Sequence, residues 1–387
     1  MLPCDDASMM QSIAPGRLTV LQVLPALNAG GVENCTLDMG RALVAAGWRS
    51  LVMSGGGRLV QTLEAEGSEH LSLDVGRKSL LTLRHIPTVR RLLGSGTIDV
   101  VHVRSRLPAW IVWLAWRGLP AYRRSRLVTT IHGPYTVNGY SAVMTRGERV
   151  IAISKMIDEY VRRNYPLDTD RLRLIPEGID AAGFPFGYRP SAEWTRSWLA
   201  EYPALVGVRV LAFPARITRW KGQEDFLRVL AALIAAGEPV HGLLIGVTQK
   251  GREDFARELH EQIASMGLQR HVTFTGHRSD LRDVMAASDI VFSLARDPEA
   301  FGRVPVEALS LGRPVIGYDH GGVGESLRAI YPAGLVPVGD IDVVVARTRE
   351  FLRAAPPVPP DQPFTLQRMT DATLAVYREL VESPRQT

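Results

Sequence analysis

The sequence predicts an α/β protein made of two doubly wound parallel-sheet domains that face a cleft. Three observations predict it. Short β-branched, apolar runs alternate with amphipathic helical stretches. The alternation stops at 182–206, a segment rich in Pro, Gly, Tyr and Trp, and then begins again. Glycine-containing loops recur where a strand hands over to a helix. With 387 residues and an apolar fraction of 46%, the chain can bury two cores of ordinary size.

Taken in order, 18–24 reads as a strand closed by Pro25, and a helix is expected over 33–46. Strands are expected at 50–54, 99–103, 127–131 and 149–153, apolar on both faces as parallel strands covered by helices must be. Segment 182–206 reads as a linker. The second series has strands at 208–213, 242–245, 271–274, 290–293 and 314–318, separated by helices at 222–236, 251–266, 279–287, 303–311 and 323–329. The closing stretch 364–382 reads as an amphipathic helix with Met369, Leu374, Tyr377 and Leu380 on one side. Ligands of such sheets bind beyond the carboxyl ends of the strands, so loops from both domains are expected to meet one ligand.

Composition narrows the function. Cys4 and Cys35 make neither a disulfide framework nor a metal cluster, and a reducing cytoplasm is expected. Residues 1–16 lack the apolar core of a secretory signal, and the run 109–116 is far short of the roughly 20 residues that cross a bilayer. Asp168-Thr-Asp170 has the spelling of a cation site but lies in a loop, and no metal or other cofactor is expected.

Charge is unevenly shared. Residues 1–190 carry 23 Lys/Arg against 16 Asp/Glu, a balance of +7, which leaves 22 against 24, or −2, for the rest. Within 75–130, eleven basic side chains stand against one acid, Asp99. Trp110, Trp113, Trp116 and Tyr122 interleave with these arginines, which suits an anionic membrane surface better than a base-stacking platform, so no nucleic acid is expected. Arg104, Arg106, Trp110, Arg123, Arg124 and Arg126 are the candidates for acceptor or membrane contact. The same spacing also fits tryptophans in a core with arginines as a solvated rim.

The strand ends hold the chemistry. Glu299 and Glu307 flank a glycine-containing helix entrance, Glu299-Ala300-Phe301-Gly302-Arg303. Amides of Phe301, Gly302 and Arg303 there can meet phosphate oxygens, and each carboxylate can accept a pair of hydroxyls. Arg216 and Lys221 follow the strand 208–213 and can neutralise a diphosphate. Gly30 and Gly31 allow close approach after the first strand, without the spacing of a dinucleotide fingerprint. His132 ends another strand. Gly276 and His277 stand where backbone groups can hold a nucleobase, and Gly321-Gly322 opens a further helix.

This order of strand-end residues resembles the family-4 retaining glycosyltransferases of GT-B fold, two facing Rossmann-like domains, over nearly the whole chain. Glu-x-Phe-Gly with a second Glu eight positions after the first, followed by Ala-Leu-x-x-Gly-x-Pro-Val, carries the resemblance. Stretches 101–110, 129–133 and 298–303 are similar to those of bacterial enzymes that build lipopolysaccharide core. The resemblance implies an acceptor-binding domain over 17–185, with 364–383 packing back on it, and a nucleotide-sugar-binding domain over 205–362. It implies that Arg216 and Lys221 hold the diphosphate, Glu307 the ribose hydroxyls and Glu299 the transferred sugar, with His132 near that sugar and the leaving phosphate. The expected reaction is metal-independent, retaining transfer from a nucleotide diphosphate sugar, UDP-linked by analogy, to a lipid-linked saccharide at the inner membrane surface. Glu177 departs from the family, many of whose members have Asn before the following Gly-Ile-Asp. A sugar-nucleotide epimerase of the same fold and a non-catalytic sugar-nucleotide-binding membrane scaffold remain as alternatives.

Overall fold

The computed structural model describes residues 17–384 apart from 29, 249, 250 and 252; Cys4 and the segment 1–16 lie outside the described residues. The chain folds as two units. Unit 1 comprises 17–152, 160–173 and 370–384; unit 2 comprises 153–159 and 174–369.

Unit 1 is built on seven strands: β1 (Thr19–Val23), β2 (Arg49–Ser54), β3 (Glu69–Ser72), β4 (Val100–Val103), β5 (Arg126–Ile131), β6 (Arg149–Ala152) and β7 (Leu172–Leu174). Their order is β3-β2-β1-β4-β5-β6-β7, parallel from β3 through β6. The helices are α1 (Gly31–Ala45), α2 (Val60–Ala65), α3 (Ile86–Leu93), α4 (Arg106–Arg117) and α5 (Lys155–Asn164), the last beginning in unit 2. β4 and β5 are buried along their whole length, which explains why their sequences do not alternate apolar with polar. β3 and β7 are short, half-exposed strands with no apolar run to betray them, and the sequence reading misses both as strands.

Unit 2 contains α6 (Ala192–Glu201), β8 (Arg209–Pro214), α7 (Gln223–Ala235), β9 (Val240–Ile245), α8 (Glu253–Ser265), β10 (Val272–Gly276), α9 (Leu281–Ala286), β11 (Ile290–Ser293), α10 (Arg303–Ser310), β12 (Val315–Tyr318), α11 (Gly321–Ile330), β13 (Leu335–Val336) and α12 (Ile341–Ala354). Its parallel sheet runs β10-β9-β8-β11-β12-β13. The order of both sheets reverses beside their first strands, β1 and β8, the kind of switch point where such sheets hold ligands.

The segment expected to be a linker is not one. Ser191 caps α6 by accepting from the Trp194 amide at 3.1 Å, and Trp194 stacks on the buried Trp198 with ring centroids 5.3 Å apart. The Trp194 indole donates to Asp280 at 2.8 Å, so the aromatic composition that suggested a spacer anchors a helix to unit 2.

The closing helix, α13 (Leu366–Glu382), belongs to unit 1 from Thr370 onward. Its Tyr377 is fully buried, with its hydroxyl 2.5 Å from His102 Nδ1, and His102 Nε2 lies 2.6 Å from Thr130 Oγ1. Burial, with Arg104 and His132 nearby, pushes the His102 imidazole well below its ordinary pKa. It is a neutral core histidine between two hydroxyls.

Candidate functional site

In unit 2 the site grows from the carboxyl ends of β8 and β11. After β8 the chain makes a turn, Arg219–Lys221, and reaches Gly222 in the left-handed region at φ 89°. A Cβ here would overlap the Leu294 carbonyl oxygen, so only glycine lets the loop lie this close to the segment following β11. The Arg296 amide donates to the Trp220 carbonyl at 2.7 Å and locks the two loops together.

That docking sets Lys221 Nζ 2.7 Å from Glu299 Oε2, with both side chains mostly buried, and 4.4 Å from the Trp220 ring centroid. The ammonium predicted to meet a diphosphate and the carboxylate predicted to meet the sugar are therefore direct neighbours. Arg216 is exposed; its carbonyl accepts from the Gln223 side chain at 2.8 Å, and its guanidinium has no ion-pair partner among the described residues.

The helix entrance is α10, whose N-cap is Gly302 at φ 80° with no side chain capping the first amides. Phe301 is buried and packs edge-on against Phe364, with centroids 5.5 Å apart, which turns its ring away from any ligand role. Ala300 is half-buried beside it. Glu307, one turn into the helix, is buried and accepts from Arg303 Nε at 3.3 Å. Burial, opposed by that guanidinium, raises its carboxyl above the ordinary value.

The Gly321-Gly322 loop has a supporting role. The Gly322 amide donates to the Glu299 carbonyl at 2.7 Å, and a Cβ on Gly322 would overlap the backbone of Phe301. These glycines hold the Glu299 loop from behind. Gly276 is left-handed at φ 67° and its carbonyl accepts from the Gly246 amide at 2.9 Å, while His277 is exposed. One of the backbone groups expected to hold a base is thus used inside the sheet.

Sequence reading missed two carboxylates. Asp225, in the first turn of α7, is 0% exposed; it accepts from Arg296 Nε at 2.8 Å, Arg296 Nη2 at 2.5 Å and the Tyr318 hydroxyl at 2.8 Å, and ties the ends of β11 and β12 together. Its signal was an Asp set directly before the apolar run of α7. Glu325 accepts from the amides of Lys155 at 2.9 Å and Met156 at 2.5 Å and so caps α5, a pairing that no local pattern announces.

In unit 1, Gly30 is the N-cap of α1 at φ 150°, and a Cβ on it would lie 2.6 Å from Glu33 Oε2. A Cβ on Gly31 would meet open space. His132 follows β5 and is half-buried.

The basic face needs correction. Arg104 is 2% exposed, donates to Gln22 Oε1 at 2.9 and 3.2 Å and lies 3.2 Å from Cys35 Sγ, so it is an interior residue. Arg126 is 8% exposed, paired with Glu148 at 2.9 Å and bonded to the Ser383 carbonyl. Neither can face a membrane. Arg106 lies over the rings of Tyr135 and Tyr140, the Trp110 indole donates to the Tyr140 carbonyl, and Arg124 donates to the carbonyls of Leu119 and Arg117 at the end of α4. Arg123 remains exposed beside Tyr122. Tyr122 is 69% exposed, and the most exposed apolar pair is Leu80 and Leu81, 86% and 70% exposed next to Arg77, Lys78 and Arg84.

Comparison with known proteins gives the family and the fold. Residues 29–182 match the Glycosyltransferase Family 4 model and residues 198–357 the Glycosyl transferases group 1 model. A D-inositol 3-phosphate glycosyltransferase of Saccharomonospora viridis is 27% identical over 327 residues, covering 76% of this chain and 72% of that one. Against two further curated relatives of the same name, from Rhodococcus opacus and Nocardia farcinica, the chain spans 55% and 54% of their length. Among solved structures, a glycosyltransferase from Rickettsia africae matches with a TM-score of 0.82 and 24% identity over 95% of this chain and 100% of that one. Anabaena HepE, solved with UDP and glucose, matches with a TM-score of 0.73 and 21% identity over 94% and 96%.

Proposed function

Because this chain is a glycosyltransferase of GT-B fold, composed of a Family 4 domain and a group 1 domain, we propose that it moves a hexose, with retention, from a UDP-sugar to a hydroxyl of a lipid-linked saccharide, lipopolysaccharide core in the first instance. The Lys221–Glu299 pair at the mouth of α10 carries the reading. A nucleotide diphosphate sugar presents a diphosphate and a sugar ring side by side, and this pair offers a cation and a hydroxyl acceptor next to each other. Arg216 and Lys221 balance the diphosphate, Glu299 accepts from the sugar hydroxyls and Glu307 from the ribose. As the bond from the anomeric carbon to the phosphate oxygen breaks, negative charge grows on the leaving diphosphate, and fixed cations with the α10 amides stabilise it without a metal. The acceptor oxygen bonds to the same face of the anomeric carbon, and its proton leaves with the diphosphate. His132 is assigned to the transferred sugar on the family resemblance.

The deciding experiment incubates purified protein with a panel of nucleotide sugars, with and without core oligosaccharide, and follows nucleotide release and product anomer by NMR. Acceptor-dependent UDP release with retained configuration supports the proposal; free epimerised sugar nucleotide would favour the epimerase. Similarity to the D-inositol 3-phosphate glycosyltransferase of Saccharomonospora viridis supports a second acceptor class, a water-soluble cyclitol phosphate, which belongs in the same panel.

Glu307 gives the donor site a pH signature. Its carboxyl lies above the ordinary 4.5, and the charged form accepts on both oxygens where the protonated form turns one of them into a donor. Lowering the pH through that raised value should weaken UDP binding, and Glu307→Gln should flatten the dependence. Calorimetric titrations of both proteins from about pH 5 to 8 check this, with superimposable profiles counting against the assignment.

No helix among the described residues is long and apolar enough to cross a membrane. We assign peripheral membrane contact to Leu80 and Leu81 with the neighbouring Arg77, Lys78 and Arg84, where apolar groups and cations lie together. Leu80→Asp with Leu81→Asp should reduce sedimentation with phosphatidylglycerol vesicles by about tenfold or more, since burying each leucine contributes on the order of 2 kcal/mol. Unchanged sedimentation would remove the membrane from the picture.

A further inference from the structure

We propose that unit 1 carries a second anion site, at the amino ends of β5, β6 and β7, which takes a phosphomonoester of about sugar size. A cavity of about 550 Å³ opens there, lined by Arg126, Arg146, Arg149, Arg171, Glu148 and Trp116 among others. The sheet itself delivers the guanidinium groups. Arg126 is the first residue of β5, Arg149 the first of β6, and Arg171 immediately precedes β7. This is the end of the sheet opposite to the strand ends that carry His132, and none of the lining residues belongs to the donor set in unit 2.

The charges do not cancel. Among the described residues Glu148 is the one carboxylate in the lining, and it is committed to Arg126 at 2.9 Å and to the Leu127 amide at 2.8 Å. Arg149 pairs with Glu379 at 2.5 Å. Arg171 donates to the carbonyls of Thr145, at 3.2 Å, and Gly147, and neither it nor Arg146 has an ion-pair partner within 4.0 Å among the described residues. Two guanidinium groups therefore face the cavity with no carboxylate in ion-pair contact, and burial holds the Arg171 group below its ordinary value against the opposing pull of Asp168 and Glu148 from farther off. Planar forks of this kind match phosphate oxygens two at a time, and an added dianion would relieve the repulsion between them.

Size selects the rest of the ligand. The volume lies within the range of small-molecule pockets and exceeds what a bare phosphate fills. Trp116 provides an apolar wall, its ring fixed by the indole bond to the Ser125 carbonyl at 2.7 Å and by Arg124 at 4.6 Å. A ring rich in hydroxyls, carrying one phosphate, fits a half-open cavity with this lining. The inference stands independently of the donor reading, since it uses no residue of unit 2.

Isothermal titration of the full chain with glucose 6-phosphate, inorganic phosphate and glucose, each with and without UDP, tests it. Wild type should bind glucose 6-phosphate more tightly than phosphate and should not register glucose. Arg146→Glu, at an exposed position whose guanidinium lies over the Trp113 ring, should weaken glucose 6-phosphate binding about tenfold or more and leave UDP binding unchanged. Glucose 6-phosphate should also protect Arg146 and Arg171 from phenylglyoxal, as read by mass spectrometry. Equal affinity in wild type and Arg146→Glu, or no binding to wild type, overturns the site; phosphate binding as tightly as glucose 6-phosphate overturns the sugar-sized ligand.

Discussion

Lys221→Ala should lower kcat/KM for sugar transfer by about 10²–10³-fold, with the loss mainly in kcat. The ammonium lies 2.7 Å from Glu299, and in the proposed reaction it meets the growing charge of the diphosphate beside the first hydroxyls of the sugar. In the proposed reaction ground-state donor binding also draws on Arg216, the α10 amides and Glu307, so KM should move less. Glu299→Gln should produce a comparable loss, because the amide loses the charge and one of the two acceptor oxygens and sets an N–H donor in its place. Because the two side chains are ion-paired, the double variant should lose little more than the larger single loss, and an unchanged melting temperature separates this from structural damage. Steady-state kinetics of the three variants, with melting temperatures as a control on folding, decide it. A Lys221→Ala enzyme within a factor of three of wild type would remove the diphosphate assignment.

Gly222→Ala should destabilise unit 2 by on the order of 3 kcal/mol or more. Two costs coincide at this residue. Its φ of 89° is strained for any residue with a Cβ, and that Cβ would overlap the Leu294 carbonyl oxygen. To relieve the overlap the loop 215–222 must lift away from the segment after β11, which would carry Lys221 off Glu299. The measurable pair of outcomes is a melting transition lower by roughly 5–10 °C and a loss of transfer at temperatures where the variant is still folded. Gly207→Ala is the matched control: it too is left-handed, at φ 75°, but nothing lies within 4 Å of its Cβ, so it should cost only about 1 kcal/mol and spare activity. Similar behaviour of the two variants would mean that the approach to Leu294 does not hold the site.

Much of this architecture can be read from residues in line. Strands such as β5 and β9 are buried from end to end, so their apolar runs survive as a local signal. The motif around Glu299 is also local, because one loop and one helix entrance supply its carboxylates and amides. The arginines were misjudged for the opposite reason. A guanidinium looks the same in sequence whether it meets water or, as Arg104 does, Gln22 and Cys35 from distant parts of the fold. Arg126 is hidden by Glu148 and by the far end of the chain. Asp225 escaped notice because its partners, Arg296 and Tyr318, arrive on β-strand ends some 70 and 90 residues away. The tryptophans of α6 misled by composition, since aromatic residues that suggest an irregular spacer here anchor a helix.

Tyr377 has a consequence for biosynthesis. The phenol that completes the polar core around His102 and Thr130 is donated by a segment made after all of unit 2, whose last residue is Met369. On the ribosome, the amino-terminal sheet must therefore wait, with a gap along one flank, while its successor is translated. The half synthesised first is the half finished last, and a nascent chain halted before residue 370 would hold β4 and β5 with no lid over their histidine.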